Sequence, residues 1–380
     1  MGGAEWICVD LRCCARMPSV NEARKIRGAR TRANFRGCLV GGAVGDALGA
    51  AIEFKSHAEI KEEFGPAGLR DYAMAYRRLG AITDDTQMTL FTAEALLRAE
   101  HLRQRNPGAR VAEVAWYAYL RWLETQGDVV QRRGLPDEEG WLSRLRGLHA
   151  VRGPGETCLS SLRKGRMGTP EEPINESKGC GGVMRIAPAG FPPGQPFRTG
   201  CELAAITHGH PTGWLSAGYL AQLVHEVAEG ASLDEGAVRA LEVLRRQPRH
   251  EETAGAVEKA LWLSRAPRGS AAEVESLGEG WVAEEAVAIG LYAALVAENF
   301  EHGVLLAVNH SGDSDSTGSV AGSLLGLVLG EQAIPRRWVE RLELHDVIEQ
   351  VADDLHRHYG TGCLPCDGGQ CGSWARYPPC

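Results

Sequence analysis

Two stretches decide how this chain reads: FRGCLVGGAVGDALG, from Phe35 to Gly49, and GDSDSTGSVAGSLLGLVLG, from Gly312 to Gly330. Glycine recurs every fourth residue in both, at Gly37, Gly41, Gly45 and Gly49, and again at Gly318, Gly322, Gly326 and Gly330. At helical spacing each set forms a groove along one face. A glycine inside a helix costs roughly 1 kcal/mol relative to alanine, so something must offset eight of them. Close backbone-to-backbone packing of the two helices is the expected compensation. The same small-residue spacing marks membrane helix pairs, but Arg36, Asp46 and Glu53 argue against lipid. The two helices are therefore expected side by side near the centre, bringing Asp46 and Glu53 toward Asp313 and Asp315. The alternative is two unrelated, tightly packed helices.

The rest of the chain is read the same way. Apolar residues recur at helical spacing over Arg36–Phe54, Asp84–Arg103, Val111–Gln126, Pro211–Glu229, Leu233–Arg245, Ala254–Ser264, Glu279–Asn299, Ser316–Gly330 and Arg337–Tyr359. Strand-like alternation is almost absent, and Gly and Pro clusters punctuate the helices. An all-α fold is expected. No composition break marks a second domain, so residues 33–380 are expected to form one domain with a Cys- and Pro-rich tail over residues 360–380. Residues 1–32 lack periodicity and are expected to be a disordered extension or to reflect a start codon placed too early.

The 380 residues are 44% hydrophobic, enough for a large core, with a formal net charge of −8. Acidic and basic residues are interleaved, and no basic aromatic stripe suits a nucleic acid. No secretory signal opens the chain, and the apolar run Val320–Leu329 is too short to span a bilayer. Eleven cysteines at irregular spacing suit a reduced, cytoplasmic protein better than a disulfide framework. A monomer is expected. Cys363, Cys366, Cys371 and Cys380 leave a zinc site open, although free thiols are the simpler reading.

Chemistry concentrates in two acidic helix starts. Thr83-Asp84-Asp85-Thr86 precedes an amphipathic helix, and Asp313-Ser314-Asp315-Ser316 leads into the second glycine stripe. One Asp or Thr satisfies an N-cap; each segment offers more than a cap needs. Carboxylates packed together raise one another's pKa unless a positive charge sits between them. Oxygen donors from Asp, Ser and Thr, without Cys or His, suit Mg²⁺ or Mn²⁺. Asp315 is placed to bridge two ions, with Asp84 and Asp313 on either side.

These residues, in this order, resemble the ADP-ribosylglycohydrolase family. The resemblance is carried by Phe35–Gly49 with Glu53-Phe54, by Thr83–Thr86, by Gly179–Pro188, by Thr207-His208-x-His210-Pro211, by Gly312–Gly318, and by Trp374, Arg376, Tyr377 and Pro378. It implies a compact, all-α orthogonal bundle around a central binuclear Mg²⁺ or Mn²⁺ site, and hydrolysis of the glycosidic bond between ADP-ribose and a modified acceptor, such as a protein arginine. By resemblance, Thr83, Asp84, Asp85, Asp313, Asp315 and Ser316 fall on metal-ligand positions. Glu53 matches the acidic residue that approaches a metal or the scissile linkage and is the expected general acid/base or gate, with Asp84 or Asp85 an alternative activator of water. Gly181, Gly182, Val183 and Met184 would line the ADP-ribose pocket. His208 and His210 read as supporting residues. Two departures stand out: Cys180-Gly181-Gly182 replaces a more polar motif, and Ser316 stands where Thr is common. The rival readings are a non-catalytic or immunity-type ADP-ribose-binding protein and an Asp-rich all-α prenyl synthase, but Asp84-Asp85 is followed by Thr86-Gln87-Met88 rather than a third aspartate.

Overall fold

The glycine stripes do meet. In the computed structural model, which describes residues 29–130, 140–265, 269–361 and 376–378, helices Arg32–Gly49 (α1) and Ser314–Leu329 pack face to face. They run antiparallel, with Gly37 against Gly326, Gly41 against Gly322 and Gly45 against Gly318. A Cβ added to Gly318 would stand 2.5 Å from the Gly45 carbonyl oxygen, and one added to any of the other five would come closer still to the facing oxygen. Only hydrogen fits between the backbones, which is why the pattern repeats every four residues.

Fifteen α-helices are present among the described residues. After α1 come α2 (His57–Phe64), α3 (Asp84–Arg105), α4 (Val111–Thr125), α5 (Glu156–Arg163), α6 (Pro196–Ala205) and α7 (Pro211–Ala228). Then follow α8 (Leu233–Leu244), α9 (Glu251–Leu263), α10 (Ala271–Ser276), α11 (Ala283–Val296), α12 (Phe300–Val308), α13 (Ser314–Leu329), α14 (Arg336–Val339) and α15 (His345–Leu355). The strands β1 (Met74–Ala75) and β2 (Arg78–Leu79) form a two-residue antiparallel hairpin. Its turn residues Tyr76 and Arg77 have φ of 49° and 66°, the twist that tight hairpins require. The all-α expectation therefore holds, with one hairpin as its exception. Helices α7 and α11 are buried on nearly every face, which places them in the interior with the glycine-striped pair. One main apolar core runs from Phe35 to Tyr377. No helix among the described residues is long and apolar enough to cross a membrane.

Two boundaries differ from the sequence reading for physical reasons. The first helix stops at Gly49 rather than Phe54, because its end abuts the backbone of Ser314 and Asp315. Glu53 thus sits on a turn beyond the helix. The segment Arg337–Tyr359 is not one helix: α14 and α15 are separated by Glu340–Leu344, with Leu344 left-handed at φ 55°. Glu343 causes the break. Its amide donates to the Gly80 carbonyl at 2.9 Å, and its buried carboxylate accepts from Ile82 N at 3.2 Å, Arg78 at 2.8 Å and Arg152 at 3.2 Å. The helices absent from the sequence reading (α2, α5, α6, α10 and α12) have six to ten residues, too few for a periodicity to show.

The N-terminal extension lies outside the described residues up to residue 28, but Arg30 reaches the Tyr359 carbonyl at 2.9 Å and also the Phe191 carbonyl and Glu229. Cys363, Cys366, Cys371 and Cys380 lie outside the described residues as well.

The helix contact makes a sharp prediction. Gly322→Ala should lower the unfolding free energy by about 2–3 kcal/mol through overpacking. Gly255 in α9 has nothing within 4 Å of an added Cβ, so Gly255→Ala should raise stability by about 0.5–1 kcal/mol. Urea denaturation followed by circular dichroism measures both. Equal effects from the two substitutions would mean that close helix approach is not what the glycines serve.

Candidate metal centre

The loop entering α3 is fixed before its acids are presented. Glu343 holds Ile82, and Asp46, on the last turn of α1, holds the next residues. Its carboxylate accepts from Thr83 N at 3.0 Å, Thr86 N at 3.1 Å and the Thr86 hydroxyl. Asp46 is therefore spent on the start of α3 and does not line the cavity. Thr83, extended at φ −105°, caps the helix by accepting from Asp85 N at 3.3 Å. Asp84 Oδ2 accepts from Gly155 N at 3.2 Å, at the start of α5.

The second acidic segment is built by a glycine turn. Gly312 has φ 123°, a conformation open to glycine, and the chain then reverses so that Asp313 N donates to the Glu279 carbonyl at 2.8 Å. Asp313 caps α13 through Ser316 N at 3.2 Å, and Asp315 Oδ1 accepts from the same amide at 3.0 Å. Because α1 and α13 are antiparallel, the end of one and the start of the other coincide.

Glu53, Asp84, Asp85, Asp313, Asp315 and Ser316 line one cavity of about 350 Å³. The four aspartates are at most 4% exposed. Burial, reinforced by the charge of Asp315, pushes Asp84, Asp85 and Asp313 well above the ordinary carboxylate range; burial raises Asp315 itself. Burial and then Asp315 raise Asp46 to about 7 and Glu53 to about 10. Among the described residues, no Lys or Arg lines the cavity. Other buried acids are matched: Glu94 by Arg98 and Arg121, Glu284 by Lys178, Glu343 by Arg78 and Arg152, and Asp354 by Arg357 and Arg376. The cavity aspartates have no such partner among the described residues, and Asp85 Oδ1 is buried without a hydrogen bond. Helix N-termini give only about half a charge each. Cations are the fitting complement, and Asp with Ser and Thr oxygens suits a hard divalent ion. Among the described residues, three ligand atoms within 4.8 Å of one another occur only at Glu331, His345 and Glu349. The cavity groups are spaced more widely, whereas that outer cluster is neutralised by Arg36, 2.8 Å from Glu349.

The facing wall is the short turn Cys180–Gly182, anchored by Cys180 N on the Trp281 carbonyl at 3.1 Å. Gly181 and Met184 line the cavity. Gly182 and Val183 do not: Gly182 packs on Ala204 and His208, and Val183 is fully buried in the core. Cys180 Sγ lies 2.8 Å from Asp313 Oδ2, and burial with that charge pushes its thiol well up. His208 also lines the cavity, held neutral by burial and by the nearby Arg185, which bring its pKa to about 3. His210 caps α7 by accepting from Thr212 N at 3.2 Å. Sequence reasoning did not single out Gly153–Cys158, Phe54 or Trp281 as lining residues. The Phe54 ring, in a residue 79% exposed, stacks on Trp281 at 5.5 Å between centroids. The Glu53-Phe54 pair and the Gly- and Pro-rich run Arg152–Gly155 were the local signals in the sequence.

A pH dependence follows. A carboxyl whose pKa is raised by folding keeps a proton that the unfolded chain releases, so each raised cavity aspartate (Asp84, Asp85, Asp313) costs stability as pH rises above the ordinary value of about 4. A bound divalent cation displaces such protons. Stabilisation by Mg²⁺ over EDTA, read as a shift in unfolding temperature, should therefore be larger at about pH 8 than at about pH 5. A shift that is absent, or that shrinks toward the higher pH, would count against a cation at these carboxylates.

Comparison with known proteins bears on the family. The chain is 27% identical to the ADP-ribosyl-[dinitrogen reductase] glycohydrolase of Rhodospirillum rubrum, over 81% of this chain and 90% of that one. It is 25% identical to the ADP-ribosylarginine hydrolase Tri1 of Pseudomonas putida, over 84% and 77%. A solved structure described as an ADP-ribosylglycohydrolase-related protein complex superposes with a TM-score of 0.62 at 27% identity, covering 86% of this chain and 98% of that one. The ADP-ribosylglycohydrolase family model matches residues 27–364. The chain thus belongs to the ADP-ribosylglycohydrolase family, whose members are metal-dependent hydrolases of ADP-ribosyl glycosidic bonds.

Proposed function

We propose that this chain removes ADP-ribose from a modified protein side chain, arginine before others, using two divalent cations held by Thr83, Asp84, Asp85, Asp313, Asp315 and Ser316. The observation that carries the reading is the set of buried aspartates without a counter-charge at the meeting of α3 and α13. The cations, Mg²⁺ or Mn²⁺, supply the positive charge that lets these carboxylates ionise together and the Lewis acidity that favours attack by water.

The chain's own groups have distinct tasks. Gly181 and Met184, backed by Gly182 and Val183, form the wall against which ADP-ribose lies. In this reading the ribose lies beside the aspartates and the cations they would hold, and an oxocarbenium-like state develops at its anomeric carbon as the bond to the acceptor breaks. Without cations, burial and then the neighbouring carboxylates raise Glu53 to about 10; in this reading it serves as the acid or base at the departing nitrogen. Asp84 or Asp85 is the alternative group to activate the incoming water. A cationic guanidinium acceptor suits a cavity lined by Glu53, Phe54 and Trp281, with no Lys or Arg among the described residues that line it.

Hydrolysis of ADP-ribosylarginine, ADP-ribosylserine and a small-molecule ADP-ribosyl ester should be compared with Mg²⁺, Mn²⁺ and EDTA. Activity is expected on the arginine linkage, lost in EDTA and restored by either ion. Glu53→Ala and Asp315→Ala should each lower turnover by at least about 100-fold. Wild-type rates from either purified variant would sink the assignment.

A further inference from the structure

The wall opposite the aspartates carries sulfur. Cys180 Sγ stands 2.8 Å from Asp313 Oδ2. Four residues on, Met184 Sδ lies 3.9 Å from the Ser316 hydroxyl. A thiol and a thioether therefore face the same end of the acidic set, the start of α13. Cys180 is only partly buried, has no disulfide partner and borders the cavity. Asp85, 2% exposed, lines that cavity with an oxygen that has no hydrogen-bond partner. The cavity thus offers two sulfur atoms beside unmatched carboxylates, and this mixed donor set differs from an all-oxygen one in what it selects.

Oxygen donors favour hard ions such as Mg²⁺, whereas thiolate and thioether favour Zn²⁺ and softer ions. We propose that Cys180 makes this centre receptive to a thiophilic divalent cation, Zn²⁺ or Cd²⁺, bound between Cys180 Sγ and Asp313 in the cavity that Met184 also lines. Binding forms a sulfur–metal bond and releases the thiol proton to solvent; no electron is transferred. Such an ion occupies Asp313 and so competes with the hard ions of the function proposed above. The inhibitory consequence rests on that reading; the binding itself does not. The bland alternative is that Cys180 only donates a hydrogen bond to Asp313.

The two are separated by alkylation of the full chain after EDTA treatment and removal of the chelator. Iodoacetamide labelling at Cys180 is followed by peptide mass spectrometry, which resolves it from every other cysteine. Zn²⁺ should slow labelling of Cys180 by about tenfold or more, and Asp313→Asn should remove most of that protection. Unchanged labelling in wild type, or equal protection in Asp313→Asn, overturns the proposal. In a second measurement, Zn²⁺ is titrated against Mg²⁺-supported hydrolysis, each protein normalised to its own rate. Cys180→Ser should need about tenfold more Zn²⁺ for half inhibition; equal sensitivity also overturns the proposal. Absence of any hydrolysis by wild type would instead sink the function proposed above and leave the labelling result standing.

Discussion

The contact between α1 and α13 is the constraint on which the rest depends. Two backbones that touch through glycine hydrogens leave no freedom in register: sliding by one residue would put Val44 or Asp46 where Gly45 faces Gly318. The register fixes which residues meet at the end of the pair. There Gly49 closes on the Ser314–Asp315 backbone, the turn carrying Glu53 begins, and Asp46 reaches the first turn of α3. A cavity built on loops alone would place these acids with several ångströms of play. Here the two central helices place them, and the roughly 1 kcal/mol intrinsic cost of each glycine is offset by the packing that its missing side chain permits.

That placement concentrates charge. An unpaired carboxylate buried away from water is unfavourable by several kcal/mol, and this protein avoids the situation elsewhere by seating an Arg or Lys beside each buried acid. Glu94, Glu343 and Asp354 are held this way by two arginines apiece. Asp46 is an instructive intermediate, since backbone amides and a threonine hydroxyl satisfy it and give it a structural task. Asp84, Asp85, Asp313 and Asp315 have neither solution in sufficient measure. Distinguishing acids that a fold uses from acids that it presents to a ligand therefore takes the list of their partners, not their burial alone.

Much of this was legible in the sequence, and the reason is geometric. The four-residue glycine spacing identifies both central helices and their pairing, because few other packings tolerate it. The Thr83–Asp85 and Asp313–Ser316 segments are contiguous, so their local chemistry shows in one reading. Asp46 was brought to the right region but its role was not visible, since that depends on the amides of Thr83 and Thr86, nearly forty residues away. Glu343 was hidden inside a helical pattern that the chain breaks for the sake of one buried carboxylate. The face on which Gly182 and Val183 fall could not be read either: a three-residue turn has no period, and only the packing of Val183 into the core shows that Gly181 and Met184 point the other way.

The cysteine at position 180 shows how a single departure can matter within a shared scaffold. Its backbone is pinned by the Trp281 carbonyl on one side, and Asp313 is pinned by the Glu279 carbonyl on the other. Trp281 and Glu279 are two residues apart, so one short segment of chain positions both the thiol and the carboxylate. The two backbones are thus held by neighbouring residues of one segment, and the rotamers of Cys180 and Asp313 then bring Sγ and Oδ2 to 2.8 Å. A substitution at that turn changes the donor atom on a backbone that stays pinned, so the chemical character of the centre shifts without any rearrangement of the helices that hold it.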